Sequence, residues 1–88
     1  MVERSVQVMN THGIHARPAA EIVKVAARFR AAITLVRDDL EVNGKSIMGV
    51  MMLAAECGAT ILVRAVGDDA EAAVEALVAL VRTQFGEH

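Results

Sequence analysis

The chain has no tryptophan and no tyrosine, and Phe29 and Phe85 are its only phenylalanines. Its core must therefore be built from Ala, Val, Ile, Leu and Met. A single cysteine, Cys57, excludes a disulfide within the chain and fits a reducing compartment, so we expect a cytoplasmic protein. Because no base or basic cluster adjoins Cys57 in the sequence, we interpret it as a small, buried or half-buried side chain.

Strong charge and long apolar runs are also missing. The formal net charge of −2 argues against nucleic-acid binding, which usually needs a basic surface. Residues 1–5 lack the apolar region of a signal peptide, and we expect no membrane insertion. A length of 88 residues predicts one domain over 1–88, large enough for a modest core without disulfides or metals.

Hydrophobic periodicity predicts the element order βαββαβα. Strands that alternate apolar and polar residues bury one face, which predicts an α+β fold with one antiparallel sheet covered on one side by helices. The predicted strands are Val2–Met9, Ile33–Arg37, Leu40–Val42 and Thr60–Val66, and the predicted helices run from about Ala16 to Ala27, after Ser46, and from about Asp69 to Gln84.

Local signals mark several element ends. The Asp38-Asp39 pair predicts a hairpin, and Asp68 with Glu71 three residues later has the spacing of a capping box. The short segment 85–88 is expected to be frayed.

The stretch from Gly13 to Ala20, GIHARPAA, is the most informative in the chain. Pro18 marks the first turn of a helix, so His15 lies at or just before the helix N-terminus. Free backbone N–H groups and the positive end of the helix dipole gather there. Gly13 lets the backbone bend just before this point.

A histidine in this position suggests phosphoryl transfer. Only a neutral imidazole has a lone pair that can attack phosphorus, and the positive helix end and Arg17 both disfavour the charged ring. Once a phosphoryl group is attached, the amides near Ala16 and Arg17 can donate to its oxygens, and the Arg17 guanidinium adds a charge-assisted contact.

Two other interpretations of His15 remain open on position alone. It could be a capping or surface residue, or it could join His12 in an H-x-x-H metal site. Zinc requires three or four ligands, and no further ligand is evident nearby in the sequence. We therefore expect no metal and no cofactor.

A second segment, Asn43 to Leu53, reads NGKSIMGVMML. Asn43-Gly44 is a turn signal, and Ser46 is a good N-cap for a short helix. A helix of about two turns cannot bury all of its apolar side chains, so some should be exposed, and methionine suits a surface that binds several partners. These side chains are Ile47, Met48, Met51 and Met52.

Together, the motifs GIHARPA and NGKSIMGVM closely resemble the histidine-containing phosphocarrier (HPr) family of the bacterial phosphoenolpyruvate-dependent phosphotransferase system. The resemblance covers nearly the whole chain, including the Gly67-Asp68-Asp69 turn and the final amphipathic helix. It implies an open-faced β-sandwich in which three helices cover a four-stranded antiparallel sheet. It also implies a phosphoryl carrier that acts between enzymes and is not itself an enzyme.

In such a carrier, His15 accepts the phosphoryl group from phosphorylated enzyme I, with attachment expected at Nδ1, and passes it to an enzyme IIA. The IIA protein belongs to a sugar or a nitrogen-related branch. The resemblance also implies that Ser46 is phosphorylated by an HPr kinase/phosphorylase. It gives a partner-binding face formed by Ala20, Lys24, Ile47, Met48 and Met51.

One departure from the family pattern is His12, where relatives often carry a small polar or acidic residue. His12 could contact the phosphoryl group, tune His15 or face solvent. We expect a monomer. The alternative function is a regulatory interaction module controlled mainly by phosphorylation of Ser46, and the presence of His15 counts against it.

Overall fold

Four strands and three α-helices make up residues 1–86, the part of the chain that the computed structural model describes. The order βαββαβα is as predicted, and a 3-10 turn over Gln84–Gly86 follows the last helix. The strands are β1 (Val2–Gln7), β2 (Ala32–Arg37), β3 (Leu40–Asn43) and β4 (Thr60–Val66), and the helices are α1 (Ala16–Ala26), α2 (Ile47–Met52) and α3 (Ala70–Arg82).

The strands form one sheet in the order β1-β4-β2-β3, and every neighbouring pair is antiparallel. Arg37 lies opposite Leu40, so Asp38 and Asp39 form the predicted hairpin turn. Alternate residues of the sheet are buried, which confirms the open-faced sandwich. The buried set is Val6, Ile33, Leu35, Val42, Ile61, Val63 and Ala65.

The opposite face of the sheet carries charged side chains. Arg64 on β4 contacts Glu3 on the neighbouring strand β1, with Nε 2.6 Å from Glu3 Oε2, and reaches past β2 to Glu41 on β3, with Nη1 3.1 Å from Glu41 Oε1. Exposed pairs of this kind contribute little to stability, typically up to about 1 kcal/mol. The network lies on the sheet face away from the buried side chains.

Helices α1 and α3 fill the other half of the core. Pro18, Ala19, Ile22 and Ala26 are buried on α1, and the apolar stripe of α3 is buried as its periodicity predicts. Phe85 is 6% exposed, so the expected fraying of 85–88 is wrong at this residue. Its side chain belongs to the hydrophobic core and lies just beyond the end of α3. Glu87 and His88 lie outside the described residues.

The predicted capping box at Asp68 and Glu71 does not form. The N-cap of α3 is Asp69, and its carboxylate makes no capping hydrogen bond. Its two oxygens instead accept the backbone N–H groups of Arg30 and Ala31, each at 2.8 Å. These hydrogen bonds, above all the one from the Arg30 N–H, hold the pKa of the Asp69 carboxyl below its usual value. The side chain therefore joins the start of α3 to the segment before β2.

Cys57 is exposed, so its interpretation as a buried or half-buried side chain is wrong. It lies on the connection between α2 and β4, where the chain runs over the surface. Its Sγ donates to the Met9 carbonyl at 3.5 Å. Within residues 1–86, none of the helices has the length and apolar character needed to cross a membrane.

Candidate functional site

His15 is the N-cap of α1 and has an extended backbone, with φ −96° and ψ −167°. Its carbonyl accepts the N–H of Ala19 at 2.9 Å, which is the first hydrogen bond of the helix. The imidazole makes no capping hydrogen bond. The backbone of His15 begins the helix, whereas the side chain does not have the capping role considered as an alternative.

The loop before His15 is held by internal hydrogen bonds. Asn10 is fully buried, and its Nδ2 donates to the Gly13 carbonyl at 2.7 Å while Gly13 N–H donates to the Asn10 carbonyl at 3.0 Å. Ile14 N–H donates across to the Ala55 carbonyl at 2.8 Å. The sequence analysis missed Asn10, although an asparagine three residues before a glycine is itself a turn signal.

The His15 ring is half-buried, and its two nitrogens are not equivalent. Nε2 has less than 1 Å² of accessible surface. Because an electrophile would have little access to an atom so enclosed, we expect any reaction of the ring to occur at Nδ1.

His12 lies beside His15, with the ring centroids 6.0 Å apart and the planes at 84°. His12 is exposed. Within residues 1–86, no three or more His, Cys, Asp or Glu side chains come together as a set that could hold a metal ion. A zinc site needs three or four protein ligands, and the histidine pair supplies two.

The first turn of α1 offers a small number of amides. Pro18 has no N–H, and the Ala19 N–H donates to the His15 carbonyl, so the backbone N–H groups of the first turn that are not used in this way belong to Ala16 and Arg17. No acidic residue occupies this turn, and both Ala16 and Arg17 are exposed. The positive end of the helix dipole is therefore not neutralised within the turn beside His15.

Ser46 is the N-cap of α2, as predicted, because its Oγ accepts the Gly49 N–H at 3.1 Å. The helix is six residues long and buries only Val50. Four large apolar side chains are left on the surface, whereas the sequence predicted only that some of them would be exposed. This methionine patch consists of Ile47, Met48, Met51 and Met52, exposed by 46%, 77%, 44% and 64%.

The patch is next to α1, because α1 and α2 pack against each other. Ala20 and Lys24 are exposed on α1. The predicted partner-binding residues therefore lie on two neighbouring helices, and His15 begins the first of them. Met52, which was not among them, is as exposed as the rest of the patch.

The concave region that the structure shows between β2 and β3 is separate from the candidate site. It is lined by Thr34, Glu41, Asn43 and Lys45, with Ala32, Ile33 and Val42. His15, Arg17 and Ser46 do not line it. A half-buried imidazole at the start of α1, with an exposed apolar patch on the neighbouring helix α2, suits an exchange between protein surfaces better than binding of an enclosed small molecule.

Comparison with known proteins identifies one family over nearly the whole chain. A model of the family described as the PTS HPr component phosphorylation site matches residues 2–83. Phosphocarrier protein HPr of Treponema pallidum is 49% identical over 87 residues, which cover 99% of each chain. HPr-like protein Crh of Halalkalibacterium halodurans is 44% identical, with 96% of this chain and 100% of the relative covered.

Solved structures agree with the fold. The crystal structure of an HPr from Thermoanaerobacter tengcongensis superposes with a TM-score of 0.96 at 43% identity, covering 100% of this chain and 99% of the other. An HPr dimer from the same organism is similar too, with a TM-score of 0.79 at 44% identity and coverage of 99% and 100%. The chain therefore belongs to the HPr family of the phosphotransferase system, whose members carry a phosphoryl group and are not enzymes.

Proposed function

We propose that this chain accepts a phosphoryl group from phosphorylated enzyme I on His15 and passes it to an enzyme IIA protein. The observation that carries the proposal is the His15 imidazole itself. It stands at the N-terminus of an 11-residue helix, with Nε2 enclosed and no capping hydrogen bond from its side chain.

In the chemical step, the Nδ1 lone pair of the neutral ring attacks phosphorus. The new N–P bond forms as the bond between phosphorus and the donor breaks, and the bonding pair leaves with the donor. The Ala16 and Arg17 amides and the Arg17 guanidinium then donate to the phosphoryl oxygens. The reverse sequence releases the group to the acceptor.

The partners are proteins, and the methionine patch gives them a surface that can repack against more than one of them. Enzyme I and enzyme IIA dock over the patch with Ala20 and Lys24. The acting form is a monomer, because one chain provides His15, α1 and α2 together. We place it in the cytoplasm, since its single cysteine fits a reducing compartment. No nucleic acid takes part, in keeping with the net charge of −2.

The test is incubation of the purified protein with enzyme I and phosphoenolpyruvate, followed by mass spectrometry of the intact chain under non-acidic conditions. The expected result is a mass increase of one phosphoryl group, which disappears when an enzyme IIA is added. A chain that stays unmodified beside a phosphorylated control HPr would refute the proposal.

Arg17→Ala is expected to slow phosphoryl transfer while changing the free energy of unfolding by no more than about 1 kcal/mol, as for most surface substitutions. The reason is that an exposed guanidinium can stabilise the phosphoryl charge while contributing little packing. Arg28→Ala, another exposed arginine just beyond α1, is the matched control. Normal transfer with a large loss of stability would reverse this assignment.

Ser46 is proposed as a regulatory site that an HPr kinase/phosphorylase modifies. The residue already caps α2 through Oγ, and a phosphate there would add up to about two negative charges next to the methionine patch. Enzyme I brings its own phosphoryl group to the same surface, so like charges would oppose its approach. Phosphorylation of Ser46 then lowers the rate at which His15 is loaded.

Ser46→Asp is expected to slow phosphorylation of His15, with a smaller effect at high salt because the repulsion is screened. The fold should survive, since aspartate is itself a good N-cap. Transfer assays at two ionic strengths measure the effect. Ser46→Asn tests the cap without the charge, and Ser5→Asp places the charge on exposed β1. Equal rates for wild type and Ser46→Asp at low salt would leave Ser46 as a capping residue only.

The second candidate is a regulatory interaction module, favoured by the similarity to the HPr-like protein Crh and by the exposed patch beside Ser46. It would dock through α2 without carrying a phosphoryl group. The phosphorylation test above separates the two, because the regulatory candidate predicts partner binding and no transfer through His15.

A further inference from the structure

The loop that carries His15 rests on the segment between α2 and β4. Ile14 N–H donates to the Ala55 carbonyl at 2.8 Å. The backbone of Gly13 comes so close that a Cβ there would lie 2.8 Å from Glu56 Cα. The position of residues 53–56 therefore determines the position of the residues immediately before His15. We call residues 53–56 the support segment.

The support segment contains a backbone conformation that is not favourable on its own. Ala54 has φ +50°, in the left-handed region that is unfavourable for a residue with a Cβ. The segment also includes Leu53, the C-cap of α2, at the end where helix carbonyls have no donor inside the helix. Both features call for stabilisation from outside the segment.

Arg37, the last residue of β2, supplies that stabilisation. Its Nη1 donates to the carbonyls of Leu53 at 3.1 Å and Ala54 at 2.6 Å, and its Nη2 is 2.6 Å from Glu56 Oε1. The bond from Arg37 holds the pKa of the Glu56 carboxyl below its usual value. One planar guanidinium thus holds three points of the support segment, at Leu53, Ala54 and Glu56, a geometry that a lysine ammonium cannot match.

We propose that Arg37 is a positioning residue for phosphoryl transfer, which acts on His15 through the support segment and the Gly13–Ile14 backbone. The inference rests on the proposed function. In this role Arg37 contacts the support segment and not the phosphoryl group. A simple surface ion pair with Glu56 would be the competing explanation, and it predicts no effect on His15.

The experiment compares Arg37→Ala with Arg64→Ala, which breaks an equally short arginine–glutamate pair on the other face of the sheet. Two quantities are measured: the rate of His15 phosphorylation by enzyme I, and the NMR resonances of the His15 imidazole and the Ile14 amide. For Arg37→Ala we expect a rate about tenfold lower and shifted resonances, because small misplacements of a reacting group are costly. Arg64→Ala should change neither.

Two further variants distinguish the ion pair with Glu56 from the hydrogen bonds to the carbonyls. Glu56→Ala removes the ion pair but leaves the carbonyl contacts, so its effect should be smaller than that of Arg37→Ala. Arg37→Lys should restore only part of the rate. Wild-type rates and resonances in Arg37→Ala, or equal losses in Arg64→Ala, would overturn the inference while leaving the proposed function standing. Failure of the wild-type protein to accept phosphate would instead refute the proposed function, and this inference with it.

Discussion

His15→Ala is expected to abolish phosphorylation by enzyme I completely. The substitution removes the nucleophilic nitrogen, and no other group at the start of α1 can replace it, because Ala16 and Arg17 offer donors and not a lone pair. The fold should persist, since the His15 side chain makes no capping hydrogen bond and the backbone carbonyl still accepts the Ala19 N–H. The expected loss of stability is at most about 1 kcal/mol.

His12→Ala is the matched control, because it removes an imidazole whose ring centroid is 6.0 Å from that of His15. It should remain a substrate for enzyme I. Intact-protein mass spectrometry and thermal unfolding, run on both variants, measure the outcome. If His15→Ala still took up labelled phosphate, or if only His12→Ala failed to do so, the assignment of the reactive nitrogen to His15 would be wrong.

Gly13→Ala is expected to have the second largest effect, on stability and on transfer together. Gly13 has φ +64°, and an added Cβ would run into the Ala55 carbonyl and lie 2.8 Å from Glu56 Cα. Since both neighbours are backbone atoms, the loop or the support segment must move. The loop carries His15, so the imidazole should be displaced as well.

Gly58→Ala separates strain from contact. Gly58 also has a positive φ, +96°, but a Cβ there would meet nothing within 4 Å. Gly58→Ala should lower the free energy of unfolding only by the backbone strain, about 1–2 kcal/mol, and leave the rate of phosphoryl transfer nearly normal. Gly13→Ala should cost at least about 1 kcal/mol more and slow phosphorylation of His15. Chemical denaturation and transfer rates measure both, and equal effects in the two variants would argue against the packed contact.

Sequence reasoning succeeded where the signal is local. The position of His15 at the start of α1, the cap at Ser46 and the turn at Asp38-Asp39 each depend on residues within a few positions of one another. Alternation along the strands correctly indicated which side chains are buried. These features are encoded by backbone preferences and periodicity, which a single sequence displays directly.

Reasoning from the sequence failed where the contacts are distant along the chain. Alternation identifies a buried face but not a neighbouring strand, so nothing indicated that β4 lies between β1 and β2. The capping-box spacing indicated Asp68 at the start of α3, yet the N-cap is Asp69, whose carboxylate accepts the backbone N–H of Arg30, 39 residues away. Arg37 was overlooked because its partners at 53–56 come together with it only in the folded chain.

The most direct test of the account is a two-dimensional ¹H–¹⁵N NMR spectrum of the imidazole nitrogens, recorded before and after phosphorylation by enzyme I. The enclosed Nε2 of His15 predicts that Nδ1 of His15 takes the phosphoryl group. We therefore expect a large shift of that nitrogen and only small changes at His12. A phosphorylated protein whose modified nitrogen is His15 Nε2, or belongs to another histidine, would contradict the account.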